Sequence, residues 1–120
     1  MARELADAGV SVQIGAHGQR EGLGAHWEMW MLAQGGMEPH DILRVATING
    51  AAYLGMDGEI GSLEKGKLAD LVILEANPLT DIRNTEKIKY VMVNGRLFDA
   101  MSMNEIGNHP RERDAFYWER

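Results

Sequence analysis

The strongest local constraint on the fold is an Asn-Gly pair between two apolar runs near the C-terminus. Residues 88–93 (IKYVMV) and 96–98 (RLF) flank Asn94-Gly95. A type I′ turn needs positive φ at both central residues, and Asn and Gly accept that conformation most readily. The sequence therefore predicts a β-hairpin here. The continuous apolar block at residues 71–74 (LVIL) predicts a further, buried strand.

The first half of the chain shows helical patterns and one strand-like segment. Val10, Val12 and Ile14 alternate with polar residues, which predicts a strand, and four glycines within residues 15–24 predict a loop at its carboxyl end. Helices are predicted over residues 1–8, 25–33, 39–47 and 49–54. The predicted fold is α+β, with a lone leading strand, then helices, then short β-strands. Such a half-built sheet leaves open edges, so we expect a homo-oligomer or pairing with another chain.

Composition excludes several functional classes. Among 120 residues there are 12 Lys and Arg against 18 Asp and Glu, a balance that argues against nucleic-acid binding. The absence of cysteine excludes thiolate metal sites and thiol nucleophiles. No apolar run reaches the ~20 residues that span a bilayer. No signal peptide is visible at the N-terminus, so no membrane partner is expected and the default compartment is the cytoplasm.

Four residues in or near the predicted loop could carry chemistry or anchor the loop. His17 follows the predicted strand, where ligands gather in parallel α/β proteins; it could hold a metal or move a proton, or simply bond a backbone carbonyl. Arg20 could bind a substrate carboxylate or pair with Glu21. His26 and Glu28 are two residues apart at a helix start and so point to different sides, which also suits capping or loop anchoring. The remaining histidines, His40 and His109, belong to no motif.

Four segments resemble the C-terminal signature of metal-dependent amidohydrolases. They are residues 46–55, 60–74, 77–79 and 91–96. The most specific part reads Gly-Ser-Leu-Glu-x-Gly-Lys-x-Ala-Asp over residues 61–70. The resemblance covers roughly residues 9–99 and is nearest to the imidazolonepropionase and prolidase-like branch of the superfamily.

This resemblance implies a longer parent with a (β/α)8 barrel flanked by a small composite β-sandwich. Residues 1–55 would then hold the last barrel strand and its helices, residues 56–99 the C-terminal sandwich strands, and residues 100–120 a polar, aromatic tail. The implied chemistry is hydrolysis of C–N bonds in small-molecule or dipeptide-like amides. The implied cofactor is a divalent metal, commonly zinc, which activates a bound water.

The resemblance also implies roles for the loop residues. The last barrel strand of the family usually ends in Thr-Asp, and this sequence has Ala16-His17 at that place. His17 therefore occupies the slot of the aspartate that ligates metal and moves a proton, while Arg20 and His26 are expected to line the barrel mouth as substrate-binding residues. Because the other ligands are missing, the isolated chain is expected to be inactive. The alternatives are a non-catalytic β-rich interaction module and an unrelated α+β ligand-binding domain.

Overall fold

A computed structural model describes residues 1–17 and 20–120, and the contacts within it divide them into two units. The first unit comprises Met1–Lys67 and Ala76–Glu86, and the second comprises Leu68–Glu75 and Lys87–Arg120. The first unit is helical and the second contains the β-sheet. The α+β composition predicted from the sequence is therefore confirmed.

Helices in the first unit begin and end close to the sequence signals. They are α1 (Ala2–Asp7), α2 (Leu23–Gln34), α3 (Pro39–Ala46), α4 (Ile48–Tyr53) and a 3-10 helix (Ile82–Glu86). Pro39 occupies the first turn of α3, where its missing N–H costs nothing. Gly55 takes a φ of 71° just beyond α4, a conformation that favours glycine after a helix. None of the helices in the described ranges has the length and apolarity that a bilayer crossing requires.

The core of the first unit lies where α2, α3 and the 3-10 helix meet. Ile42 has no exposed surface, and Met29, Met37, Val45 and Ile82 join it in one apolar cluster. Helix α2 contacts both α3 and the 3-10 helix. Burial of an aliphatic side chain of this size contributes roughly 1.5–3 kcal/mol, so this cluster holds the three helices together.

The strand predicted over residues 10–14 does not form, and this part of the prediction was wrong. The described residues before Leu71 contain no strand. The backbone carbonyl of Val12 instead accepts a hydrogen bond from the side-chain amide of Asn49 at 3.0 Å. A strand needs a neighbour to pair its backbone groups, and the described residues place no strand beside this segment. Gly18 and Gln19 of the predicted loop that follows lie outside the described residues.

The second unit contains a three-stranded antiparallel sheet in the order β1-β2-β3. The strands are β1 (Leu71–Leu74), β2 (Ile88–Val93) and β3 (Arg96–Asp99). Strand β1 forms where the apolar block predicts it, but Val72 and Ile73 are 53% and 39% exposed, so the expected burial of this strand was wrong. Asn94 and Gly95 join β2 to β3 with φ values of 48° and 78°, which confirms the predicted hairpin. The Asp70 carboxylate accepts a hydrogen bond from the Asn94 backbone N–H at 2.6 Å and so holds the turn in place.

The segment after β3 covers the edge of that strand. Ile106 donates its backbone N–H to the Leu97 carbonyl at 2.9 Å, and Phe98 forms a bridge with Glu105. The buried Glu105 carboxylate binds Arg96 through two hydrogen bonds of 3.0 and 2.6 Å, and this guanidinium holds the pKa of Glu105 below its usual range. An uncovered edge strand offers its backbone to other chains, so this cover protects the β3 edge.

Aromatic residues at the end of the chain pack on one another. The Phe116 and Trp118 rings stack with centroids 4.5 Å apart, and Tyr117 meets Trp118 edge-on. Arg113 lies over the Phe116 ring and forms a two-bond ion pair with Glu119. Trp118 and Tyr117 are nevertheless 64% and 84% exposed, so these rings form a local cluster on the surface of the second unit.

Candidate functional site

His17 lies in a turn that is tied to the helix following it. Its φ of 49° is in the left-handed region, which residues other than glycine seldom adopt, and its side chain is exposed. Two residues earlier, the Gly15 backbone N–H donates to Oε2 of Glu28 on α2 at 2.9 Å. The loop-anchoring role considered for Glu28 is therefore confirmed, and the anchored loop is the one that carries His17.

The first turn of α2 lies directly against this loop. A Cβ placed on Gly24 would lie 3.3 Å from the Ala16 carbonyl oxygen, so a side chain here would be tightly packed against the loop. The Gly24 backbone N–H donates to the carbonyl oxygen of Arg20 at 2.8 Å. The structure thus brings the backbone beside His17 and the start of α2 together.

His26 lies in this first turn of α2 and is fixed by the 3-10 helix. Its Nδ1 is 3.0 Å from Oγ1 of Thr85, a side chain in a residue only 5% exposed. Trp30, one helical turn later, donates its indole N–H to the same oxygen at 3.3 Å. His26 and Glu28 therefore have different partners, as their spacing of two residues predicts.

Arg20 is exposed at the entrance to α2. In the described part of the chain, its guanidinium forms no ion pair with the neighbouring Glu21. The local pairing considered for Arg20 is therefore not seen, and its charge faces solvent near the loop of His17.

The described residues do not by themselves fit a divalent metal. Over residues 1–17 and 20–120, no three His, Asp or Glu side chains lie close enough together to hold an ion. A catalytic zinc takes three protein ligands, and in the described part of the chain His17 belongs to no group of that size. A metal held by His17 would need donors from outside the described residues.

The signature segment at residues 61–70 builds a loop. The Lys67 side chain is only 11% exposed, and its ammonium donates to the Asp57 carbonyl and the Ser62 hydroxyl, both at 2.5 Å. The Ser62 hydroxyl donates in turn to Glu64, whose carboxylate also lies 3.3 Å from the Lys67 ammonium. The hydrogen bond from Ser62 and the pairing with Lys67 lower the pKa of Glu64. The motif that identifies the family in the sequence therefore has a structural role here.

Sequence reasoning did not indicate Thr85. It lies in a polar segment, and its contact with His26 spans 59 positions of the chain. No pattern among neighbouring residues in the sequence predicts a contact between residues so far apart. The other histidines, His40 and His109, are exposed, as are the scattered carboxylates Glu38, Asp41, Glu59, Glu64 and Asp70.

Comparisons with a family model and with individual proteins lead to the same family. The sequence model of the amidohydrolase family matches residues 1–98. The imidazolonepropionase of Symbiobacterium thermophilum is 62% identical over 39 residues, which are 32% of this chain and 9% of that protein. The ochratoxinase of Aspergillus niger is 30% identical over 108 residues, which cover 87% of this chain and 22% of that protein.

Solved structures agree with the sequence comparison. The crystal structure of a Xaa-Pro dipeptidase with methionine in its active site superposes with a TM-score of 0.75 and 30% identity. The match covers 82% of this chain and 24% of the dipeptidase. The chain thus spans about a quarter or less of the length of these relatives. Because the family model runs through the His17 loop, helix α2 and the signature loop alike, the chain belongs to the amidohydrolase family.

Proposed function

We propose that this chain provides the closing part of a barrel hydrolase that cleaves C–N bonds, with His17 in the active site. The observation that carries the proposal is the amidohydrolase match over residues 1–98, which includes the His17 loop. In this proposal residues 1–55 complete a (β/α)8 barrel, residues 56–99 contribute strands to a composite β-sandwich, and residues 100–120 form an added tail.

His17 holds a metal ion or a proton at its imidazole in this proposal. A neutral imidazole ligates divalent metals well and exchanges protons near neutral pH. The bond from Gly15 to Glu28 fixes the loop on one side, and the close approach of Gly24 to Ala16 fixes it on the other. If other segments completed a zinc site with His17, the ion would supply Lewis-acid chemistry there: a bound water of lowered pKa and a polarised substrate carbonyl.

The proposed substrate is a small amide or a dipeptide-like molecule. This class fits the Xaa-Pro dipeptidase, which covers most of the chain at 30% identity. Arg20, exposed beside the loop, suits a substrate carboxylate, because a guanidinium binds that group with two parallel hydrogen bonds. His26 suits a second oxygen of the substrate.

A chimera tests the proposal. Residues 1–98 replace the matching segment of the Xaa-Pro dipeptidase, and hydrolysis of an Xaa-Pro dipeptide is measured with and without zinc. We expect zinc-dependent turnover, and a loss of at least about 100-fold in kcat for His17→Ala, the usual scale for removing a proton-transfer group. His17→Asp, which restores the usual family residue, retains turnover.

The matched control is His40→Ala, since His40 is also an exposed histidine but lies on α3. It leaves kcat unchanged. The proposal is overturned if the chimera turns over and His17→Ala is as active as the unmodified chimera. It is also overturned if only the His17→Asp chimera is active.

A further inference from the structure

A buried hydroxyl connects two aromatic side chains of α2 to the 3-10 helix. Thr85 is 5% exposed, and its Oγ1 lies 3.0 Å from Nδ1 of His26 and 3.3 Å from Nε1 of Trp30. Ile82, one turn earlier in the 3-10 helix, belongs to the apolar core, which fixes the backbone that presents Thr85. The guanidinium of Arg83 lies over the Trp30 ring, 5.8 Å from its centre.

The direction of these hydrogen bonds follows from which of the three side chains can donate and which can accept. The Trp30 indole N–H only donates, so the Thr85 oxygen accepts from it. The Thr85 hydroxyl still has its own proton to place, and within the described residues the acceptor in reach is Nδ1 of His26. If Nδ1 carried a proton instead, the Thr85 hydroxyl would stay buried without an acceptor, which is costly. The chain of donation therefore runs from Trp30 to Thr85 to His26.

This order of donation decides where the His26 proton is. A neutral imidazole carries one proton, and with Nδ1 acting as an acceptor that proton lies on Nε2. In this tautomer His26 cannot ligate a metal through either nitrogen, because Nδ1 is occupied and Nε2 is protonated. What the ring offers is a single, oriented N–H donor.

We propose that Thr85 is a positioning residue that holds His26 as its Nε2–H tautomer, so that His26 donates a hydrogen bond to a carbonyl or carboxylate oxygen of the substrate. The part concerning substrate rests on the proposed function. The tautomer itself is a property of this chain and does not depend on activity.

The test is nitrogen NMR of the chain labelled with 15N-histidine, recorded at neutral pH. We expect the His26 Nδ1 resonance in the unprotonated range and the Nε2 resonance in the protonated range, with the Nε2–H form in at least about tenfold excess, the scale set by one buried hydroxyl without an acceptor. N-acetylhistidine amide recorded in the same buffer is the reference, since an unconstrained neutral imidazole populates both tautomers in water.

Two substitutions separate positioning from mere packing. Thr85→Val keeps the shape of the side chain but removes the hydroxyl, and lowers the His26 tautomer ratio to that of the unconstrained reference. Thr85→Ser keeps the hydroxyl and retains the wild-type ratio even if it loosens the core. Trp30→Phe removes the indole N–H that makes the Thr85 oxygen an acceptor, and the population of His26 with its proton on Nδ1 increases.

A wild-type His26 that carries its proton on Nδ1 would overturn the assignment, as would a ratio that Thr85→Val leaves unchanged. In the dipeptidase chimera, Thr85→Val raises KM at least about fivefold and changes kcat less, and Thr85→Ser restores KM. If the tautomer is as proposed but KM does not respond, the substrate role of His26 is refuted. If the His17 test fails while the tautomer holds, only the proposed function is lost.

Discussion

Replacing Gly61 by alanine should destabilise the first unit strongly. Gly61 has a φ of 89°, and a Cβ there would lie 2.7 Å from the Ala51 Cβ and 3.0 Å from the Ile48 Cα. Left-handed backbone costs a residue with a Cβ about 1–2 kcal/mol. Forcing a methyl group into filled space costs about 1–3 kcal/mol more. Gly61→Ala should therefore lower the free energy of unfolding by about 2–5 kcal/mol.

Two nearby glycines separate the conformational cost from the steric cost. Gly66 has a φ of 100°, and a Cβ there would enter open space with no neighbour within 4 Å, so Gly66→Ala carries the conformational cost alone, about 1–2 kcal/mol. Gly58 has open space and a φ outside the left-handed region, so Gly58→Ala should change stability by less than about 1 kcal/mol. Urea unfolding followed by helical circular dichroism measures all three. Equal losses for Gly61→Ala and Gly66→Ala would refute the steric reasoning.

Polar contacts give three further predictions. Lys67→Met removes the ammonium that holds the signature loop and should lower the free energy of unfolding by about 1–3 kcal/mol in urea titration; an unchanged midpoint would contradict the role of this residue. Glu28→Ala should speed hydrogen exchange at the Gly15 amide about tenfold, measured by NMR, whereas an unchanged rate would mean the loop is held by other contacts. Hydrogen bonds from Arg113, the larger effect, and from the Phe116 backbone N–H lower the pKa of Glu119 to about 2 from its ordinary 4.5. The contribution of ionised Glu119 to stability is therefore complete above pH 4.5 and is lost as the pH falls towards 2. A carboxyl NMR titration should show this low pKa, and it should return towards the ordinary value in Arg113→Gln; the same pKa in both proteins would contradict the assignment.

Local signals in the sequence predicted most of the elements. Asn94-Gly95 set the hairpin because its two backbone conformations are chosen by those residues themselves. Pro39 marked the start of α3 for the same kind of reason, since its fixed φ and missing N–H suit a first helical turn. Where the residues at a position decide its conformation, the sequence was sufficient.

Features that depend on distant partners could not be predicted in this way. The alternation at residues 10–14 describes a strand, yet a strand exists only beside a neighbour, and the described residues place none there. Glu105 reads as one more charge in a polar tail, and its burial follows from its pairing with Arg96 across the edge of β3. Thr85 likewise gains its place from a contact 59 positions away.

The candidate site was predicted in part. The position of His17 came from the family resemblance, and the different directions of His26 and Glu28 came from helical geometry, which the structure confirms. The role of His17 stays a prediction. The anchoring of its loop by Glu28 was one of the alternatives that the sequence left open, and only the three-dimensional contact with Gly15 decided it.

The most direct measurement of the central claim compares zinc retention and amide hydrolysis in the isolated 120-residue chain and in the dipeptidase chimera. The claim is that the active site is shared between the His17 loop and segments beyond these residues. It predicts that the chimera retains zinc and hydrolyses an Xaa-Pro dipeptide, that His17→Ala lowers this turnover at least about 100-fold, and that the isolated chain does neither. An isolated chain that retains one zinc ion and shows turnover sensitive to a chelator would contradict it.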